Sequence, residues 1–282
     1  EDSAVSTALS IQEGLEAASL DGAALMAAMG RLDWSQFPEA AGWAERLQAR
    51  LVEEGDVGRS VQWLKIRVQR AEAAGGAMPD LVSVLTPLFQ KDPVAKRFVE
   101  AIGADRKETP PAEVLRRLDL LMGLTPGSYC LDKTWGFGIV RSLDGFYGKV
   151  RIDFDAKSGH EMTLAYAATA LQRVDGEHLL ALRRLQPERL AAMAREQPAE
   201  LVKLALRSLG PMPLPILQEW LVTKLKAVAD WKVFWDAARK KLKEDPQVEI
   251  PAKRSECLRL TARQSRFDDS WVADFRNERA LE

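Results

Sequence analysis

The strongest constraint in this sequence is a change of hydrophobic period. As far as Gly123, apolar residues recur at helical spacing, as in Trp43, Leu47 and Leu51 and again in Val61, Leu64 and Val68. Between 128 and 174 strand alternation replaces that period, in Tyr129-Cys130-Leu131, Gly138-Ile139-Val140, Val150-Arg151-Ile152-Asp153-Phe154 and Met162-Thr163-Leu164. Turns fall at Asp144-Gly145, Tyr147-Gly148 and Ser158-Gly159. Four or five short strands in about 50 residues leave no room for crossover helices, so a parallel sheet is excluded and a small antiparallel barrel of SH3 or Tudor type is expected. The helical period returns from Gly176. The predicted fold is therefore mainly α, with helical lobes flanking one small SH3/Tudor-like β-barrel.

Three domains follow: a helical one at 1–122, the barrel at 123–175, and a second helical one at 176–282. Breaks at Gly30 with Asp33, at 55–58, at 75–79, at Asp92-Pro93 and at Thr109-Pro110-Pro111 divide the first into about six helices, compatible with stacked hairpins but without a repeat signature. In the third, helices are expected over 177–184, 187–197, 198–209, 215–228, 231–244 and 268–282, three of them opening on Pro, with Asp230 as an N-cap and 246–251 extended. The start at Glu1 and the uncapped final helix make the chain read as a fragment of a longer protein.

Charge narrows the function classes. The 282 residues carry 40 Lys or Arg and 41 Asp or Glu, a net of −1, so any attraction to nucleic acid must be local. Residues 1–60 hold 11 acids and 4 bases, read as a solvated acidic lobe. Apolar runs such as 201–209 are interrupted by Lys203 and Arg207 and fall far short of the ~20 residues that span a bilayer; no membrane role is expected. Glu1 and Asp2 stand where a secretory signal would carry bases. Cys130 and Cys257, outside any Cys-x-x-Cys unit, read as reduced thiols of a cytoplasmic protein, a single long-loop disulfide being the alternative.

Catalytic chemistry is poorly supplied. His160 follows a Ser-Gly turn and reads as a hairpin cap; His178 opens a helix and reads as exposed; neither has neighbours at metal-ligand or triad spacing. Gly136-Phe137-Gly138 lacks the third glycine and the helix of a phosphate cradle. The expectation is no enzyme, no cofactor, no metal and no small-molecule substrate.

Two features carry binding hypotheses. In Thr134-Trp135-Gly136-Phe137-Gly138-Ile139-Val140, either both rings fill the barrel or an aromatic is displayed, making Trp135 and Phe137, with nearby Lys149 and Arg151, the expected partner-binding residues. Asp153 and Asp155 share a strand face and read as solvated. The second feature is 231–266, with ten Lys or Arg and five Asp or Glu, a net of +5. Arg239, Lys240, Lys241 and Lys243 lie on a helix whose Trp231, Trp235 and Ala238 share the expected inner face, and Arg254, Arg259, Arg263 and Arg266 follow. This segment is either a solvated face or a phosphate-contacting one.

The run Trp135-Gly136-Phe137-Gly138-Ile139-Val140, then Gly148-Lys149-Val150-Arg151-Ile152-Asp153-Phe154-Asp155 and Gly159-His160-Glu161-Met162, resembles a module in the long N-terminal extensions of enlarged, fused bacterial Gre-type transcript-cleavage factors. The run Trp231-Lys232-x-x-Trp235-x-x-Ala238-Arg239-Lys240-x-Leu242-Lys243-x-Asp245-Pro246 is similar to a second segment of those extensions. The resemblance implies RNA polymerase as partner. Gre proteins hold the cleavage metal on acidic residues at a coiled-coil tip; no stretch here resembles that hairpin, so no cleavage residue is assigned and the chain is expected to be the non-catalytic extension. The leading expectation is docking on polymerase through the barrel. The alternatives are nucleic-acid binding through Arg239, Lys240, Lys241, Lys243, Arg254 and Arg259, and a structural spacer in a larger fused protein.

Overall fold

Asp and Pro residues punctuate the first part of the chain into seven helices. In a computed structural model that describes residues 2–106, 108–251, 253 and 255–261, these are α1 (Asp2–Glu16), α2 (Gly22–Arg31), α3 (Ala40–Glu53), α4 (Val57–Ala74), α5 (Leu81–Phe89), α6 (Pro93–Ile102) and α7 (Pro111–Gly123). The carboxylates of Asp21, Asp56, Asp80 and Asp92 each accept from backbone N–H groups of the turn they open. The seventh helix comes from Asp21, which splits the stretch expected to form one opening helix.

Four strands then follow as a meander, β1 (Tyr129–Asp132), β2 (Gly136–Asp144), β3 (Lys149–Phe154) and β4 (His160–Thr163), then a short helix α8 (Leu164–Ala170) and β5 (Gln172–Val174). The sheet order is β4-β3-β2-β1-β5, with a register shift between Val140 and Ser142 that bends β2. No ladder joins β4 to β5 among the described residues, so the sheet is open where a closed barrel is expected from the sequence. Helix α8 interrupts the expected run of strands; Thr163 caps it by accepting from Tyr166 N.

The sheet does not stand alone. Val140, Val150, Ile152 and Phe154 belong to the same buried cluster as Leu64, Leu85, Phe98, Ile102 and Leu121 of α4 to α7, and as Ala167 and Leu171. Each fully buried aliphatic or aromatic contributes ~1.5–3 kcal/mol, so the strands are stabilised by the helices beneath them. The first compact unit accordingly runs through Arg173, and the expected boundary at 122/123 coincides with no break in the core.

The second unit begins at Val174. It contains α9 (Leu179–Leu185), α10 (Pro187–Glu196), α11 (Pro198–Leu209), β6 (Met212–Pro213), α12 (Leu214–Gln218) continued by a π-helical turn (Glu219–Lys224), α13 (Trp231–Leu242), β7 (Val248–Glu249) and β8 (Cys257–Leu260). The three strands pair in the order β6-β8-β7. Strand β7 falls in the stretch 246–251 expected to be extended, whereas β6, β8 and their pairing into a sheet are additions to the helical domain expected at 176–282. Its core joins Leu201, Val202 and Ala205 of α11 with Phe234, Ala238 and Leu242 of α13 and Leu258 of β8. The expected helix at 268–282 lies outside the described residues. No described helix is long and apolar enough to cross a membrane.

Candidate functional site

The Trp135 loop is built by one buried carboxylate. Asp132 Oδ1 accepts from Thr134 N at 2.7 Å and Trp135 N at 2.9 Å, and Gly136 follows at φ +77°, a conformation that favours glycine. The Trp135 ring is half-buried, 5.0 Å from the His160 ring, and Lys157 Nζ stands 5.1 Å over it. Phe137 is only 1% exposed and lies 5.7 Å from the Tyr129 ring, so it is a core residue and leaves the expected partner-binding set. Gly138 packs directly beneath Phe154: a Cβ there would sit 2.6 Å from Phe154 Cδ1 and 2.7 Å from Ile152 Cγ2. Gly138→Ala is expected to cost ~1–3 kcal/mol by overpacking, read as a lower urea midpoint; an unchanged midpoint would refute this packing account.

Strand β3 sends Val150, Ile152 and Phe154 inward and Lys149 and Arg151 to solvent. Lys149 Nζ is 3.8 Å from Glu161 Oε2. Trp135 meets the far end of this strand, where Phe154 packs with His160, while Lys149 pairs across to Thr163 at the other end. At ~3.4 Å per residue, the five steps from 149 to 154 span ~17 Å, so Trp135 and Lys149 are not one cluster. Asp153 serves its own hairpin, accepting from Ser158 Oγ at 2.7 Å, Gly159 N at 2.6 Å and Arg141 Nε at 2.6 Å. These bonds, Ser158 foremost, hold its pKa down at about 2.

In the second unit α13 is fixed from both ends. Asp230 caps it by accepting from Val233 N, as expected, and past its C-terminus Asp245 meets Lys203 of α11 at 2.9 Å. Phe234, Ala238 and Leu242 form the inner face. Trp231 and Trp235 are stacked at 5.8 Å and 7° but only half-buried, so they flank that face instead of forming it. At about 100° per residue Lys240 lies opposite Ala238. Lys232, Arg239, Lys240, Lys241 and Lys243 are all exposed and make no ion pair among the described residues, with Asp236 exposed beside them. Cations in a last turn also favour the helix dipole, which accounts for Arg239, Lys240 and Lys241 but not for Lys232 in the first turn. Arg259 is exposed on β8 and 3.5 Å from Glu249, and Arg254, Arg263 and Arg266 lie outside the described residues.

The order α11, β6, α12, α13, β7, β8, with strands paired β6-β8-β7, is the connectivity of a winged helix-turn-helix. Helix α13 occupies the second helix position of that order, and between β7 and β8 Lys253 is exposed and 3.9 Å from Glu256.

His178, expected to be exposed, is half-buried and caps α9. Its Nδ1 accepts from Leu180 N at 3.2 Å, leaving Nε2–H to donate to the Ser208 carbonyl at 3.0 Å. Burial lowers its pKa below the ordinary 6.5. The folded unit therefore binds fewer protons than the unfolded chain, so its contribution is complete above about pH 6.5 and declines as the pH falls through and below that value. Melting points should drop on acidification from pH 7.5 to 5, and His178→Asn, which keeps a cap acceptor without titrating, should flatten that dependence; an equal slope in the variant would exclude His178 as its source.

No group of three His, Cys, Asp or Glu side chains able to hold a metal occurs among the described residues, and Cys130 and Cys257 are free thiols. Burial, with Asp132 nearby, pushes the Cys130 pKa up to about 12.

A family model described as the GRAD helix-turn-helix domain matches residues 180–265. Transcription elongation factor GreA of Chlamydia pneumoniae is 31% identical over 139 residues, covering 49% of this chain and 19% of that protein. GreA of Chlamydia trachomatis serovar D is 27% identical over 140 residues, covering 49% and 20%. The chain thus spans about a fifth of the length of these curated relatives. No solved structure matches it. Over about half its length the chain is similar to GreA elongation factors, and residues 180–265, within its second unit, match the model of a helix-turn-helix domain.

Proposed function

We propose that this chain is a non-catalytic, cytoplasmic interaction region of a Gre-like transcription elongation factor, and that its second unit contacts nucleic acid through α13. The observation that carries this reading is the outer face of α13, where Lys232, Arg239, Lys240 and Lys243 stand exposed and unpaired among the described residues, on the outward helix of a helix-turn-helix. In such folds that helix enters the major groove. Lysines act as point charges, suited to phosphates more than to base edges, so the contact should be largely sequence-independent. The similarity to GreA proteins supports a setting in transcription. Fluorescence anisotropy on a labelled duplex is expected to give a Kd of roughly 1–100 µM at physiological salt; no binding by the folded chain at ~50 mM salt would sink the reading.

A second reading, docking on RNA polymerase through the sheet, is favoured by the half-exposed Trp135 under Lys157 and by the exposed Lys149 and Arg151. The order β4-β3-β2-β1-β5 with a short helix before the last strand also fits an SH3-like barrel. A pull-down with core polymerase tests it. Binding that survives moderate salt and is lost in Trp135→Ala or Lys149→Glu supports this surface; equal retention in both removes it. A purely structural spacer predicts neither nucleic-acid nor polymerase binding.

A further inference from the structure

The two tryptophans of α13 are held differently from Trp34 and Trp63 of the first unit. Trp34 and Trp63 donate their indole N–H groups to the carbonyls of Met29 at 3.0 Å and Ala44 at 2.9 Å. Trp231 and Trp235 donate to no acceptor among the described residues, and both rings are half-buried. Their centroids are 5.8 Å apart and their planes within 7° of parallel. Trp231 also meets the Phe234 ring at 5.6 Å, whereas Trp235 ends the row, with no further ring contact among the described residues.

The cations of α13 do not surround the helix evenly. Measured from Trp231 at about 100° per residue, Trp235 lies at ~40°, Arg239 at ~80°, Lys232 at ~100° and Lys243 at ~120°. Three cations therefore follow the indole pair along one flank, and all three are exposed and unpaired among the described residues. The buried Leu242 at ~20° and Ala238 at ~340° mark the inner side, while Lys240 at ~180° and Lys241 at ~280° point elsewhere. Asp236, at ~140°, borders the flank and sets one carboxylate against its three cations. The other acids of this segment are spent or remote: Asp230 caps the helix, Asp245 pairs with Lys203, and Glu244 lies at ~220°.

This layout selects the form of nucleic acid. A helix that only reads a duplex groove needs polar side chains on its outermost line, yet that line holds Val233, 67% exposed, and Asp236, whose carboxylate repels phosphate. The cations lie instead beside two partly open rings. That is the combination that holds single strands, in which cations track the backbone and bases stack on aromatic faces. A closed duplex withholds its base faces except at its ends. We infer that the Trp231–Trp235 flank of α13 is a site for single-stranded nucleic acid, where Lys232, Arg239 and Lys243 neutralise phosphates and Trp235 stacks on an unpaired base. The inference rests on the nucleic-acid reading above and narrows its ligand class. From Lys232 to Lys243 the flank runs about 16 Å, the rise of about five stacked nucleotides. The two indole N–H groups supply donors for oxygens of the strand.

The test uses the whole chain and labelled oligonucleotides of about 12 nucleotides and mixed sequence: a DNA single strand, its blunt duplex, and the RNA single strand of the same sequence. Anisotropy at ~150 mM salt should show the unsubstituted chain binding a single strand at least about fivefold more tightly than the duplex. Trp235→Leu keeps apolar bulk at the edge of the core but removes the ring. It should lose roughly 5- to 150-fold on the single strand and less than about twofold on the duplex. The factor should be equal at ~50 and ~200 mM salt, because stacking releases no counterions. Trp235→Phe, which keeps a ring, should retain most of the affinity. Circular dichroism and melting show that each variant is folded; if Trp235→Leu is not, the preference of the unsubstituted chain and the behaviour of Trp235→Phe decide. Binding of either the DNA or the RNA strand in this pattern supports the site, and a preference between them identifies the sugar it takes. Equal binding of strand and duplex, or an equal loss on both in Trp235→Leu, overturns the site and leaves the nucleic-acid reading intact. Absence of binding to every probe by the folded, unsubstituted chain overturns both.

Discussion

Replacing Arg239, Lys240 and Lys243 together by glutamate is expected to abolish measurable binding to duplex DNA while leaving the fold intact. All three side chains are exposed and outside the buried face of α13, so the core formed by Phe234, Ala238 and Leu242 is untouched. Three phosphate contacts correspond to a log–log salt slope near −2.7, which at 0.1 M salt amounts to about 500-fold in affinity relative to 1 M. Reversing the charges removes that contribution and adds repulsion. Asp236 stands on the same exposed side of the helix, so Asp236→Asn should act in the opposite direction and tighten binding. The check is anisotropy on one duplex, with circular dichroism as control. If the triple variant binds as well as the parent, α13 is not the contact surface.

Phe137→Ala is expected to have the largest effect on stability in the sheet. Phe137 is 1% exposed, its ring tilted against that of Tyr129 in the first unit's interior. Truncating a buried Phe costs ~3–5 kcal/mol, a large share of the ~5–15 kcal/mol that holds a domain together. Trp135→Ala, at a half-buried surface position, should cost far less. Urea unfolding of the two variants separates the roles: a strongly lowered midpoint for Phe137→Ala and a modest change for Trp135→Ala. A Phe137→Ala protein of near-parental stability would return Phe137 to the surface and contradict the packing described.

This contrast also shows where local sequence stops being informative. Helices α3 to α7 are legible because apolar spacing is regular and Asp56, Asp80, Asp92 and Pro111 mark their starts. The break at Asp21 is hidden by an alanine-rich stretch with good helix propensity on both sides. Strands β1 to β4 announce themselves by alternation, whereas β6 and β7 are two residues each and exist only because β8 pairs with both. That pairing turns a set of helices into a winged arrangement, so the position of α13 within it could not be read from its own residues. The basic cluster itself is legible; that Lys232 joins it, and that Trp231 and Trp235 flank rather than form the buried face, depends on how α13 is rotated against α11. Trp135 and Phe137 stand out in the sequence as two aromatics beside glycines, but nothing local says that Phe137 is buried beside Tyr129 while Trp135 packs only partly against the shared core. The exposed pair Phe146 and Tyr147 carries no local signal of exposure, since aromatics next to a strand usually pack.

The most direct test of the central claim is the salt dependence of duplex binding by the unsubstituted chain. Anisotropy titrations between 50 and 200 mM salt should give a log–log slope of about −3.6, a loss of roughly 150-fold in affinity over that range, if Lys232, Arg239, Lys240 and Lys243 each neutralise a phosphate. A slope near zero, or no binding by the folded chain at the lowest salt, would contradict the assignment of α13 as a nucleic-acid contact.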